Sequence, residues 1–246
     1  MFQTERIEAI MNILKKNGYV TVKYLTEELQ YSNATINRDL TMMEKQKLVK
    51  RSYGGVELLE KTSVPLPFRY HKMKSAKNKI GQRAAEFVQD GDTIFVDAST
   101  TAEYLGRHLT DKKEITVITN NMALVMFLNE YNIEAVCLGG SVVETPSMLM
   151  GAETIENARR HHVDKMFFST GAVTSEGKIG ENDLYYLLHR VMMENAEQCF
   201  YLVDHDKVDK PYTWVHTLKE GDYIITDYRF EEAVKEKYKH VTFVEV

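Results

Sequence analysis

From residue 92 to the end, the chain repeats one pattern: a short run of four to six mostly apolar residues, then a stretch with helical spacing. The runs are TIFVD (93–97), ITVIT (115–119), EAVCL (134–138), KMFFS (165–169), CFYLV (199–203), YIIT (223–226) and the terminal VTFVEV. Helical spacing fits 101–109, 122–129, 152–161, 183–195 and 231–238. Strands with one wet face would alternate apolar with polar residues. Continuous apolar strands between helices predict instead an α/β unit, a mostly parallel sheet covered on both faces.

In such sheets ligands bind beyond the carboxyl ends of the strands. Small or polar residues stand at five of these ends. After 93–97 comes the hydroxyl-rich turn Asp97-Ala98-Ser99-Thr100-Thr101; after 115–119, Asn120 and Asn121; after 134–138, Gly139 and Gly140; after 165–169, Gly171; after 199–203, Asp204-His205-Asp206-Lys207. Hydroxyls and backbone N–H groups opening a helix suit a phosphate, with Lys207 beside them, and amides and carboxylates suit hydroxyl groups. Together they predict a small, hydroxylated, anionic ligand.

The first sixty residues read differently. Ile7, Ile10, Met11, Ile13 and Leu14 mark a one-sided helix over 5–16, with Thr4 as N-cap and Gly18 as its left-handed terminator. A second helix fits 22–29 after Thr21. A third opens at Ser32 as N-cap, with Ile36, Leu40 and Met43 inward and Asn33, Thr35, Asn37, Arg38 and Thr41 outward. Short polar and guanidinium side chains on an exposed helix are what a major groove accepts. Lys45, Lys47, Lys50 and Arg51 then lead into LVKRSYGGVELL, a hairpin around Gly54-Gly55. Helix-turn-helix plus hairpin is a winged helix, its wing offering Arg51, Ser52, Tyr53 and Gly54 to the DNA backbone or minor groove.

Domain limits follow: a winged helix-turn-helix over 1–58, a connector over 59–74 stiffened by Pro65 and Pro67, and an α/β sensing unit over 75–246. The net charge of −5 conceals an asymmetry. Residues 1–83 hold 16 Lys/Arg and 8 Asp/Glu, or +8, whereas 84–246 hold 15 and 28, or −13. Lys72, Lys74, Lys77, Lys79 and Arg83, on a helical stretch with Ile80, Ala84, Phe87 and Val88 inward, read as a solvated face. No apolar run approaches a membrane span, and the first six residues lack the order of a signal peptide, so a cytoplasmic location is expected. Cys137 and Cys199, each in an apolar run, are expected as two buried thiols.

Two stretches resemble the DeoR-type family of regulators. Over about 5–57 the resemblance rests on Arg6-Ile7-Glu8-Ala9-Ile10, Ser32-Asn33-Ala34-Thr35-Ile36-Asn37-Arg38-Asp39-Leu40 and Arg51-Ser52-Tyr53-Gly54-Gly55-Val56. Asn37 stands where the family has the first Arg of a pair, and Tyr53 where it has a wing His. Over about 75–228 it rests on Asp97-Ala98-Ser99-Thr100-Thr101, Thr119-Asn120-Asn121, Gly139-Gly140, Asp204-His205-Asp206-Lys207 and Ile225-Thr226-Asp227, with Ser99 in place of a Gly. The resemblance implies a sensor fold similar to sugar-phosphate isomerases and CoA transferases, used to sense a phosphorylated sugar.

The expected function is a DNA-binding regulator, a repressor of carbohydrate metabolism genes, acting as a homodimer or homotetramer on a double-stranded operator. No cofactor and no metal are expected. An enzyme of the same fold, an isomerase or deaminase with a basic appendage, is the alternative. It would need a carboxylate base among Glu181, Asp183, Asp97 or Asp204, none of which sits in a pattern that fixes its role. An architectural DNA binder is a third reading.

Overall fold

The computed structural model describes residues 3–46, 48–52, 54–59, 73–143, 147–181 and 183–246. They form two compact units, divided between Lys72 and Met73. Lys47, Tyr53 and nearly all of the predicted connector, with Pro65 and Pro67, lie outside the described residues.

The first unit runs α1 (Gln3–Asn17), β1 (Tyr19–Thr21), α2 (Val22–Leu29), α3 (Asn33–Lys45), β2 (Val49–Ser52) and β3 (Gly55–Leu58). Helix α1 begins at Gln3, so Thr4 lies inside its first turn and is not the predicted cap. Thr21 and Ser32 are caps: Thr21 Oγ1 accepts from Tyr24 N at 3.1 Å and Ser32 Oγ from Thr35 N at 3.2 Å. Each such cap contributes about 1 kcal/mol by satisfying an orphan helix amide. Gly18 turns the chain at φ +73° and Gly54 makes the hairpin turn at φ +77°. The antiparallel hairpin pairs Ser52 with Gly55, and β1 adds to its far edge, giving the order β1-β3-β2. The predicted inward residues Ile7, Ile10, Leu14, Ile36, Leu40 and Met43 are all buried, with Leu25, Leu48 and Val56.

The second unit opens with α4 (Lys74–Ala85) and β4 (Thr93–Val96) and continues through α5 (Ala102–Gly106), β5 (Thr116–Thr119), α6 (Met122–Glu130) and β6 (Glu134–Cys137). A hairpin of β7 (Ser141–Val143) and β8 (Met148–Met150) precedes α7 (Ala152–Ala158) and β9 (Val163–Phe168). Then come β10 (Ala172–Val173), β11 (Ile179–Glu181), α8 (Asp183–Glu194), β12 (Ala196–Val203), β13 (Trp214–His216), β14 (Tyr223–Thr226), α9 (Glu232–Lys237) and β15 (Thr242–Glu245). All seven predicted strands fall in one sheet of order β15-β14-β12-β9-β4-β5-β6, parallel throughout. A separate small sheet, β10-β11-β13, is antiparallel.

Apolar clusters cover both faces of the large sheet, one with Phe95, Met166, Phe168 and Tyr201, the other with Ile94, Val96, Phe167 and Phe200. Phe167, Phe200 and Tyr223 stack with ring centroids 4.6 Å apart in each pair. Side chains of this size contribute roughly 1.5–3 kcal/mol each on full burial. Two expectations are corrected here. Lys77 is buried, at 4% exposure, because it shares the inward face of α4 with Ile80 and Ala84. Cys137 is exposed, since its strand β6 is the sheet's outer edge; Cys199 is buried as expected.

The strand order fixes where a ligand can sit. From β4 the chain winds outward to β5 and β6, then returns to the other side of β4 for β9 and winds outward again. The reversal lies between β4 and β9, and the crevice at such a switch point, beyond the carboxyl ends, is the ligand position of an open parallel sheet.

Candidate functional site

Two places collect the predicted site residues, one in each unit. In the first, α3 is held by its buried face. Asp39, fully buried, takes Arg6 Nε at 2.5 Å, Arg6 Nη2 at 3.0 Å and Gln3 Nε2 at 3.0 Å. These hydrogen bonds raise the Arg6 pKa against the opposing effect of desolvation. Arg6 also lies over the Tyr31 ring at 4.9 Å. The clamp fixes α1 on α3 and leaves the opposite face of α3 outward.

That face carries Asn33, Arg38 and Thr41 exposed, with Thr35 and Asn37 half-buried. Arg38, Thr41, Met42 and Lys45 line a shallow groove. Arg51 reaches from β2 onto the helix, where Nη2 donates to Asn37 Oδ1 at 2.5 Å and Nη1 to Thr41 Oγ1 at 3.3 Å. Its backbone N–H donates to Glu44 Oε1 at 3.2 Å. The Asn37 amide N–H in turn donates to the Asn33 carbonyl at 2.9 Å. At Asn37, where the family pattern has the first arginine of a pair, the Arg51 guanidinium of the wing lies against the helix. Lys50 is exposed, 3.8 Å from Glu57. Ser32 and Gly54 are exposed, the first capping α3 and the second turning the wing.

In the second unit the predicted residues lie along the carboxyl edge of the large sheet, from the switch point out to Gly139 and Gly140 after β6, and with unequal roles. Asp97, 1% exposed, accepts at Oδ1 from Ser99 N at 3.2 Å and Ser99 Oγ at 2.6 Å. Its Oδ2 accepts from Ser169 N at 3.4 Å and meets His189 Nε2 at 3.1 Å. Ser99 Oγ also accepts from Ala102 N at 3.1 Å, so the side chain that replaces a family glycine braces its own loop. Asn120 Oδ1 accepts from Ala98 N at 3.1 Å while its amide donates to Leu149 O at 3.1 Å. Asn121 caps α6, accepting from Ala123 N and Leu124 N at 3.0 and 3.2 Å. The two asparagines therefore shape the site's floor. Gly139 and Gly140 turn the chain at φ +71° and +113°, and a Cβ on Gly140 would sit 2.1 Å from Thr154 Oγ1.

Two ammonium groups face hydroxyls along this edge. Lys77 Nζ donates to Thr100 Oγ1 at 2.9 Å and Lys207 Nζ to Ser169 Oγ at 2.5 Å. Thr100 follows β4 and Ser169 follows β9, the two strands of the switch point. Thr101 Oγ1 is buried with no hydrogen-bond partner among the described residues, and Asp204 is 2% exposed. Gly171 N–H donates to Glu181 Oε1 at 3.2 Å.

Beneath the edge lies a group that the sequence did not reveal. His189 of α8 is fully buried, its Nδ1 2.8 Å from Glu181 Oε2 and its Nε2 on Asp97. Desolvation alone would lower its pKa. Hydrogen bonds to Asp97 and Glu181 outweigh that and hold it up at about 9. His216 of β13 lies 3.8 Å from the same Glu181 oxygen. Residues from three separate elements have no spacing to betray them, and only the inward i, i+3 and i+4 positions Leu188, Val191 and Met192 around His189 hinted at burial.

A family model described as the DeoR C terminal sensor domain matches residues 72–228, and one described as the DeoR-like helix-turn-helix domain matches residues 6–62. The chain is similar to the HTH-type transcriptional repressor GlcR of Bacillus subtilis, 32% identical over 231 residues covering 92% of this chain and 89% of that protein. It is similar also to the lactose phosphotransferase system repressor of Lactococcus lactis, 31% identical over 252 residues covering 99% and 98%. Among solved structures, ribose 5-phosphate isomerase from Plasmodium falciparum is matched over 55% of this chain and 53% of that one, at 12% identity and a TM-score of 0.41.

Proposed function

The chain belongs to the DeoR family of helix-turn-helix transcriptional regulators, and from that premise we propose that it represses carbohydrate metabolism genes under control of a phosphorylated sugar. Operator DNA is read by α3 and its wing. Arg38 is the exposed guanidinium for a base edge or phosphate, Asn33 and Thr35 are short polar contacts, and Lys50 and Arg51 flank them. Lys47 and Tyr53 join the interface from the same segment of sequence.

The observation that carries the sensor reading is the pair of lysines at the switch point. Lys77 is buried with its ammonium on the Thr100 hydroxyl, at the carboxyl end of β4. Lys77 with Thr100, and Lys207 with Ser169, offer cation and hydroxyl to a phosphate from adjacent strand ends. Thr101 Oγ1 and Asp204 serve the sugar hydroxyls, whereas Asp97, Asn120 and Asn121 hold the loops that present them. The domain senses the sugar phosphate and does not turn it over. The effector acts by binding the DNA-competent and incompetent states with different affinity. One short recognition helix reads few base pairs, so a homodimer or homotetramer on symmetric half-sites completes the proposal.

A gel-shift titration of the full chain on the DNA upstream of its own gene, with and without a panel of sugar phosphates, tests it. One sugar phosphate should change operator affinity, and Lys77→Met should abolish that change while leaving DNA binding intact. Sequence-specific binding that no sugar phosphate alters would leave an architectural DNA binder. Turnover of a sugar phosphate without DNA binding would make the chain an enzyme.

A further inference from the structure

We propose that Glu181, His189 and His216 form a binding site for a divalent ion of the zinc class, with Asp97 orienting the His189 ring from behind. One ligand atom from each of Glu181, His189 and His216 lies within 4.8 Å of the other two, and all three residues are buried. Two imidazoles and a carboxylate are the donor set preferred by zinc and its neighbours, whereas calcium and magnesium take oxygen.

The geometry comes close to what such an ion requires. Bonds of about 2.0–2.1 Å in a tetrahedral site set ligand atoms roughly 3.4 Å apart. The Glu181–His189 and Glu181–His216 separations, 2.8 and 3.8 Å, bracket that value. The two imidazole nitrogens lie within 4.8 Å of each other and would draw closer to share one centre with the carboxylate.

A second and independent observation points to a missing ligand. His216 is 6% exposed, yet its Nε2 has no hydrogen-bond partner among the described residues. A buried ring nitrogen left this way carries the full cost of its lost hydration. Glu181 and His216 stand on neighbouring strands of the small sheet, where Glu181 pairs with Trp214 and Ile179 with His216. The unbonded nitrogen is thus directed at the carboxylate oxygen that also meets His189.

The surroundings are those of a metal-bound histidine. Such a ring almost always donates its other N–H to a carboxylate, which fixes the tautomer. Here His189 Nε2 meets Asp97 Oδ2, leaving Nδ1 toward the proposed ion. Tyr185 stacks on His189 and Tyr186 on His216, with centroids 5.8 and 5.4 Å apart, and Phe168 packs against His189 at 4.8 Å. As the ion enters, the Nδ1 proton leaves to solvent, and the ring remains neutral with Nε2–H on Asp97. The ion would tie α8 to the small sheet beside the loop that starts at Asp97.

The test does not depend on the effector reading, because its readouts involve neither DNA nor sugar. The full chain is stripped with a chelator, titrated with Co2+ and then with Zn2+, and followed by visible absorption and thermal midpoint. The stripped protein should take up a single equivalent of Co2+ with the absorption of a tetrahedral site, which Zn2+ displaces, and its midpoint should rise. His216→Gln and Glu181→Gln should each weaken uptake by on the order of 100-fold, and Asp97→Asn by about 10–100-fold. X-ray absorption of zinc-loaded wild-type protein should report two imidazoles, a readout that needs no variant to fold. No uptake by wild-type protein, uptake unchanged in a folded His216→Gln, or a shell without two imidazoles would overturn the proposal.

Discussion

Arg38 and Arg6 are two arginines of one small unit in opposite settings, the first exposed and the second holding buried Asp39. Arg38 is exposed on α3 with its core neighbours Ile36 and Leu40 behind it. Replacing it by Ala should leave the unfolding midpoint unchanged and weaken operator binding about 10–100-fold, the value of a good base contact; a gel shift measures this. Arg6 is the reverse case. Arg6→Ala leaves Asp39 buried without its guanidinium, and such a loss should cost about 3 kcal/mol in urea unfolding monitored on the full chain. The motif pattern made both residues visible, but only packing shows that Arg6 is held on buried Asp39 while Arg38 is exposed. Lys77 is instructive in the same way. Read along the sequence it belonged to a charge run, yet Lys77, Ile80 and Ala84 are spaced three and four apart on one face, and that spacing was the signal for its burial. The cysteines divide likewise. Burial, with Asp222 nearby, raises the Cys199 pKa to about 12, whereas Cys137 is exposed. A thiol reagent at neutral pH should label one cysteine in the native protein and two after denaturation, and Cys137→Ser should remove the native reaction.

At the scale of elements, the long repeats were legible and the short ones were not. All seven strands of the parallel sheet were visible as continuous apolar runs because both faces are covered. The strands β1, β10, β11 and β13 have two or three residues each, too few for any period to show. The cost of that blindness fell on function, since β11 and β13 bring Glu181 and His216 to His189. Local chemistry settled the turns better: Ser32 was readable as a cap from its type and place. Ser32→Ala should lower stability by about 1 kcal/mol and weaken operator binding in proportion to fraying of the first turn of α3. Circular dichroism melts and gel shifts on the same protein would separate the two effects. Gly140→Ala meets both a strained φ and the Thr154 hydroxyl, so its destabilisation should exceed that of an Ala at Gly91, where the added carbon meets nothing within 4 Å.

At the scale of the whole molecule, charge bears on how DNA is bound. Residues 1–61 carry 10 basic and 8 acidic residues, a surplus of only +2, and residues 84–246 carry −13. Affinity must come from a few placed cations, which the proposed dimer would count twice. If each reader neutralises about three phosphates, a dimer should show a log K against log salt slope of about −5. A slope near −10 would mean that bulk charge, including the basic stretch 68–83, takes part. The topology carries a different consequence, for synthesis. The first strand of the large sheet to be made, β4, is an interior one, and the chain leaves it to build β5 and β6 before returning with β9. Until that return, a nascent chain presents an unpaired edge of TIFV, the kind of apolar strand that recruits other chains. The ribosome therefore exposes an aggregation-prone strand edge midway through the second unit, and a transcript broken between β6 and β9 would yield a fragment that chaperones must hold or proteases remove.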